Sequence, residues 1–343
     1  MGAQARALTF DFTYSGGMDS NAIAGFVEAG QLWSSVLTDN VTVHIQIGYQ
    51  SLDPGIIAQT SSTLYSYSYA GVSSFRDALA ADATSSYDSA AVASLPTGVD
   101  FPITLNYVTN RYPEPAIPPT PLVTTATAAP VTGFGNVVII SQANLRALGN
   151  PVNATFTLPD ASIVFSSGFD FDFSRTGGID AGKYDFVGAA AHEIGHALGF
   201  TSSADAIDAN AAGSTLDIAQ VDATTLDLFR YSAIGVRDMS AGVDAYFSYT
   251  NGATSVGDLS TGVNKGDGAQ ASHWADNMGL GIMDPTLAPG ETEFITTNDL
   301  IAFDVIGWDV AQFAAVPEPA TTALLVAGGA LGLGFWRRRL RRA

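Results

Sequence analysis

HEIGHALGF, residues 192–200, carries two histidines four apart, with a glutamate directly after the first. An α-helix turns about 100° per residue, so positions i and i+4 lie one above the other on the same face. On such a helix His192 and His196 present two imidazoles to a single point, and Glu193 sits beside them without ligating. The flanks favour that helix. In YDFVGAAAHEIGHALGF (184–200), Asp185 is an N-cap, an alanine-rich run follows, and Gly199 ends the helix with positive φ. The pattern is H-E-x-x-H, whose histidines bind zinc and whose glutamate serves as a base. Zinc needs a third protein ligand, and this stretch does not supply one.

Composition narrows the search. The chain has 343 residues, 47% hydrophobic and 14% charged, which is enough to bury a core in one large domain or two subdomains. There is no cysteine, so disulfides and thiolate ligands are excluded and metal ligands must be histidine or carboxylate. Net charge is −19, yet five of the 14 basic residues are Arg337, Arg338, Arg339, Arg341 and Arg342. Residues 1–336 therefore set nine basic against 33 acidic side chains, a net of −24. A body that acidic repels phosphates, which excludes nucleic acid as a partner.

Both ends read as addresses. In VPEPATTALLVAGGALGLGFWRRRLRRA, a Pro-Glu-Pro at 317–319 precedes an apolar run at 321–336 and a basic tail at 337–343. At about 1.5 Å per residue the apolar run is some 24 Å long as a helix, short for a hydrocarbon core near 30 Å. Arginines after an apolar segment stay cytoplasmic, which puts the body outside. The segment resembles the PEP-CTERM sorting tail of exported bacterial proteins. That resemblance implies residence in the cell envelope or outside the cell, membrane contact through the tail, and processing by an exosortase. A permanent transmembrane anchor is the alternative. Residues 1–7, MGAQARA, resemble the end of a cleaved signal peptide.

Between the ends, SNAIAGFVEAGQLWSSVLTDN (20–40) predicts an amphipathic helix with Ile23, Phe26, Val27, Trp33 and Leu37 on one side. VTVHIQIGY (41–49) alternates as a half-buried strand whose inner face is Val41, Val43, Ile45 and Ile47, which leaves His44 on the outer face. A helix is expected at 73–83, strands at 137–141 and 161–167, and a short helix at 141–149. The Pro-rich 111–123 reads as an extended loop, and its internal Pro-Glu-Pro at 113–115 has no apolar run after it. FDFDFSRTGGIDAGKYDF (169–186) is turn-rich, and its aspartates make it a candidate Ca2+ loop. Gly-rich turns occupy 251–268, and TTNDLIAFDVIGWDV (296–310) predicts a helix ending near Gly307.

With His44 on a strand's outer face, one histidine remains. His273, in ASHWADNMGLGIMDP, lies 77 residues after His196. It is favoured as third ligand because zinc sites so often recruit histidine, with Asp205 and Asp208 as carboxylate rivals.

These residues resemble the metzincin metallopeptidases, which follow H-E-x-x-H-x-x-G-x-x-H with a later Met-turn. The match runs through His192, Glu193, His196 and Gly199, then departs because Ser202 stands in the third-ligand position. The leishmanolysin-like branch departs in the same way, with its third histidine after an insertion in a His-Trp context. SHW at 272–274 and GIMDP at 281–285 are similar to its later features in order. The resemblance implies His273 as third ligand and Met283 as the Met-turn residue beneath the metal.

The expectation is an α+β fold of the metzincin zincin type. It has a twisted mixed sheet, helices including the H-E-x-x-H helix, and an irregular C-terminal part with Met-turn and terminal helix. Residues 8–200 would form the N-terminal catalytic subdomain, 201–312 the C-terminal subdomain, and 313–343 the sorting tail. The expected activity is an exported zinc metalloendopeptidase with Glu193 as general base and a protein or peptide as substrate. The alternative is a non-catalytic surface or matrix protein that retains a zinc site.

Overall fold

The structure is a computed structural model and describes residues 8–14, 18–108, 126–131, 135–211 and 221–311. The expected signal remnant at 1–7, the Pro-rich loop and the tail's apolar run lie outside the described residues. The described residues from 8 to 310 belong to one compact unit. Among the described residues no helix is long and apolar enough to cross a membrane.

The fold is α+β, with seven α-helices and several sheets among the described residues. The main sheet runs β1 (Thr9–Tyr14), β2 (Thr42–Gln50), β8 (Ala161–Ser166) and β3 (Ala58–Ser62). The first three are parallel, and β3 pairs antiparallel with β8 at one edge. A second sheet orders β11 (Ala223–Thr224), β7 (Val137–Ser141) and β4 (Leu64–Ser68). An antiparallel sheet of β13 (Val236–Arg237), β12 (Arg230–Ala233), β14 (Ala245–Phe247) and β15 (Gly257–Leu259) builds the later half. Two small ladders complete the set, β5 (Ile103–Val108) with β6 (Ala126–Val131) and β9 (Phe171–Asp172) with β10 (Tyr184–Asp185).

The central helix is α5 (Phe186–Leu198), buried on nearly every side except at His192 and His196. Asp185 caps it by accepting from the Gly188 N–H at 3.0 Å, and Gly199 ends it at φ 121°. Helix α1 (Ser20–Ser34) packs against it so closely that a Cβ on Gly25 would collide with the Phe186 ring. Phe26, Phe165 and Phe186 meet at centroid distances of 4.4–5.4 Å and join both helices to the sheet.

That close approach corrects the expected face of α1. Its buried residues are Ala22, Gly25, Phe26, Ala29, Gly30 and Trp33, whereas Val27 is 44% exposed and Ile23 half-buried. A narrow strip of small residues lets the helix axes come together, and the bulkier aliphatics turn outward. Leu37 lies past the helix, buried in a bridge to Val310. The strand at 42–50 has Val43, Ile45 and Ile47 buried as expected, and the outer-face His44 bonds Asp11 at 3.0 Å.

The remaining helices are α2 (Phe75–Asp82), α3 (Ser86–Ser94), α4 (Gln142–Ala147), α6 (Ala204–Ala211) and α7 (Thr297–Val305). Where the α2–α3 turn meets the end of α7, five aspartates gather without a basic partner among the described residues. Ser85 Oγ donates to Asp304 at 2.5 Å, Thr84 Oγ1 to Asp309 at 2.6 Å, and the Asp309 N–H to Asp39 at 3.0 Å. Asp88 accepts from the backbone N–H groups of Thr84 and Ser85. Burial, reinforced by the neighbouring carboxylates, raises Asp39 to about 7 and Asp82 to about 8; burial raises Asp304 as well.

The folded state therefore keeps protons here that the unfolded chain releases above about pH 4. Stability from these groups is full below that pH and is lost as pH rises through 7 to 8. Asp304→Asn should raise Tm by about 2 °C or more at pH 8 and leave it unchanged at pH 4, measured by thermal melts of metal-free protein.

Candidate metal centre

Helix α5 aims His192 and His196 to one side, and the chain returns 77 residues later to place His273 opposite them. The three Nε2 atoms lie pairwise 3.1 Å apart. Each Nδ1 faces a backbone carbonyl: His192 that of Ile282 at 2.8 Å, His196 that of Phe200 at 2.8 Å, and His273 that of Gln270 at 3.1 Å. A carbonyl only accepts, so each Nδ1 carries the proton and each Nε2 is left with a lone pair. Burial pushes His192 down to about 3 and His196 to about 4. Burial also drives His273 well below its ordinary value, helped by the two neighbouring rings.

Three neutral imidazoles thus point lone pairs at one another with no proton between them. That arrangement repels itself unless a cation takes the centre. Nitrogens 3.1 Å apart lie on a circle of radius about 1.8 Å, just under the ~2.0–2.1 Å zinc–imidazole bond, so one ion reaches all three. Among the described residues this is the one group of three or more histidines or carboxylates able to hold a metal.

The two rival ligands are committed elsewhere. Asp205, on α6, accepts from the Ala271 N–H at 2.6 Å and from both the N–H and the hydroxyl of Ser272. It anchors the loop that carries His273. Asp208 accepts from the N–H groups of Asn264 and Lys265 at 2.8 Å and from the Asn264 amide. Ser202 does not reach the centre either. Its hydroxyl donates to Asp227 at 2.5 Å, and its N–H donates to Ser272 Oγ at 2.8 Å.

Met283 lies under the helix, fully buried, with its sulfur so close to Gly195 that a Cβ there would collide with it. The turn at 281–284 is closed by the Asp284 N–H donating to Gly281 O at 3.1 Å. Its Ile282 carbonyl holds His192, and its Met283 carbonyl accepts the Trp274 N–H at 2.9 Å. Buried Asp299, in the first turn of α7, accepts from the Ile282 N–H at 2.9 Å and from Trp274 Nε1 at 2.8 Å. One carboxylate thus ties the Met283 turn to the loop that carries His273.

Glu193 is 7% exposed, and its Oε2 accepts from Thr60 Oγ1 at 2.6 Å. Burial raises its carboxyl to about 7, against the opposing pull of the Thr60 hydroxyl. Sequence reasoning missed Thr60, because a threonine on a short polar strand gives no sign of what it faces. In the expected Ca2+ loop, Arg175 pairs with Asp185, Lys183 with Asp180 at 3.0 Å, and Asp172 accepts from the backbone of Ser174 and Asp180.

A family model, the PEP-CTERM protein-sorting motif, matches residues 315–339. No curated protein and no solved structure matches the chain. The motif marks an exported bacterial protein sorted to the cell envelope, with a tail that an exosortase processes.

His273→Ala should lower bound zinc from one per chain to near zero after dialysis, by elemental analysis, whereas His44→Ala should keep it. In the native host, mass spectrometry should find the mature C-terminus upstream of Trp336; persistence of Trp336 and the arginines would mark a permanent anchor.

Proposed function

We propose that this protein is an exported zinc metalloendopeptidase of the metzincin type, similar to the leishmanolysin-like branch. The observation that carries the reading is a buried glutamate, Glu193, beside three converging imidazole lone pairs. A metal held only for stability has no use for that carboxylate, whose burial costs free energy. Zinc bound at His192, His196 and His273 would supply a Lewis acid and acidify water there.

The residues of the chain then have separate tasks. Glu193 takes a proton from water as its oxygen bonds the scissile carbonyl carbon. It returns the proton to the leaving amine as the C–N bond breaks. A carboxyl held near 7 by burial is suited to both transfers, and a neighbouring cation favours its charged form. The three Nδ1–H bonds to carbonyls fix the tautomer and ring angle that leave Nε2 free. Met283 shapes the floor without coordinating.

A peptide substrate is favoured by β3. This strand passes beside Glu193, pairs with β8 on one side, and has no strand on the other among the described residues. An extended chain can add to such an edge through its own backbone, with Gln59 and Ser61 exposed there. A surface protein that keeps a metal for binding alone is the competing reading, and unfolded casein separates the two.

Glu193→Gln should keep one zinc per chain and the same far-UV spectrum while losing at least ~10²-fold in casein hydrolysis. Chelator should abolish wild-type activity. Full activity in metal-matched Glu193→Gln overturns the assigned base, and an inert wild-type protein overturns the peptidase reading.

A further inference from the structure

Glu193 has two carboxylate oxygens, and general-base action needs one of them aimed at the attacking water. Something must stop the side chain from rotating. The backbone of α5 fixes only Cα, and glutamate keeps three side-chain torsions beyond it. Among the described residues a single side chain holds the carboxylate: Thr60, from the middle of β3.

The contact is built from two sides. Thr60 pairs with Ile163 in the antiparallel register of β3 and β8, so its backbone is fixed by the sheet. Strand alternation turns Ala58, Thr60 and Ser62 toward one face, and that face meets α5. Two residues on from Thr60, Ser62 Oγ reaches the His196 carbonyl at 3.4 Å. The strand thus runs along the metal helix and touches it at Glu193 and at His196. Threonine is stiff at χ1, so its hydroxyl is held rigidly in place.

Thr60 Oγ1 lies 2.6 Å from Glu193 Oε2 and 3.0 Å from the Glu193 backbone carbonyl. The two acceptors share one hydroxyl proton, and the shorter contact is to the carboxylate. With Oε2 engaged, Oε1 makes no hydrogen bond among the described residues and is left for water. The second acceptor keeps the hydroxyl satisfied if Oε2 turns away. The geometry points to Thr60 as a positioning residue that holds Oε2 of Glu193 so that Oε1 faces the reacting water. This rests on the peptidase reading above. No proton passes through Thr60. The water proton goes to Oε1, the water oxygen bonds the carbonyl carbon, and Thr60 keeps the same two neighbours throughout.

Valine matches threonine in shape and in strand preference, so Thr60→Val removes the hydroxyl with little other change. Thr60→Ser keeps the hydroxyl and loses a methyl. In zinc-loaded full chain acting on an internally quenched peptide, Thr60→Val should lower kcat by about 10–100-fold with KM within about twofold. Zinc content should stay at one per chain, and Thr60→Ser should recover most of kcat. A second readout needs no turnover. In metal-free protein labelled with 13C at the glutamate carboxyl carbons, Glu193→Gln identifies the Glu193 resonance. That resonance should shift in Thr60→Val and return in Thr60→Ser.

An active wild-type protein with Thr60→Val kcat within twofold overturns the assignment of Thr60 and leaves the peptidase reading standing. So does zinc loss in Thr60→Val, which would make the contact structural, and so does a Glu193 resonance indifferent to Thr60→Val. A wild-type protein inert on the peptide and on casein overturns both readings together.

Discussion

Three imidazole nitrogens that each offer a lone pair, 3.1 Å from one another and half-buried or deeper, form an arrangement that only a cation makes favourable. Much of the fold serves to hold it. Each ring is locked through its far nitrogen to a backbone carbonyl, and each carbonyl belongs to a different stretch: 282, 200 and 270. The tautomer that binds metal is thereby a property of the main chain. Shifting any one of these stretches by an ångström would rotate a ring out of place.

Bringing a histidine back from so far along the chain is costly. Closing a flexible connection of 77 residues costs about 2 kcal/mol more entropy than closing one of six, by the logarithmic dependence on loop length. That is small beside the several kcal/mol or more that a metal ion held by three ligands would contribute. It is offset further by buried carboxylates that fasten the returning chain. Asp205 holds 271–272, Asp227 holds 202–203 and 224, and Asp299 holds 274 and 282. Each of these exchanges water for backbone N–H groups, the charge-assisted bonds that suit a carboxylate outside any ion pair among the described residues. An acidic chain poor in lysine and arginine has few ion pairs to draw on, and these bonds take their place.

How much of this was legible depended on whether the signal was local. The α5 helix, its Asp185 cap and its Gly199 end follow from neighbouring residues, and the structure contains all three. So does the alternation that buries Val43, Ile45 and Ile47 and keeps His44 away from the centre. Counting ligands favours His273 but leaves Asp205 and Asp208 as rivals; the resemblance implies the histidine, and the structure brings it to the other two. The face of α1 was misjudged because hydrophobicity ranks Val27 above Gly25, while the tight α1–α5 contact rewards small size. Strand β1 and helix α3 gave no usable pattern: β1 is largely exposed, and α3 is short and buries only Asp88 and Ala91. Asp205 reads only as a rival metal ligand, and Asp299 as an ordinary acidic residue. Their roles exist only once the chain has folded back on itself.

Gly195 shows how sequence and site constrain each other. It lies within the metal motif, between Glu193 and His196, and it ligates nothing. Its hydrogen faces the Met283 sulfur and the Trp33 ring, and a Cβ would overlap the sulfur. Glycine in mid-helix costs about 1 kcal/mol relative to alanine. Here that cost brings the 281–284 turn directly beneath the helix, where the Ile282 carbonyl can reach His192 Nδ1 at 2.8 Å. Gly281 makes the matching concession on the other side, since a Cβ there would strike the Asp299 carboxylate that holds the turn. Two glycines and a methionine, none of them a ligand, set the depth at which the metal helix rests. That depth decides whether the third imidazole arrives within reach of the other two.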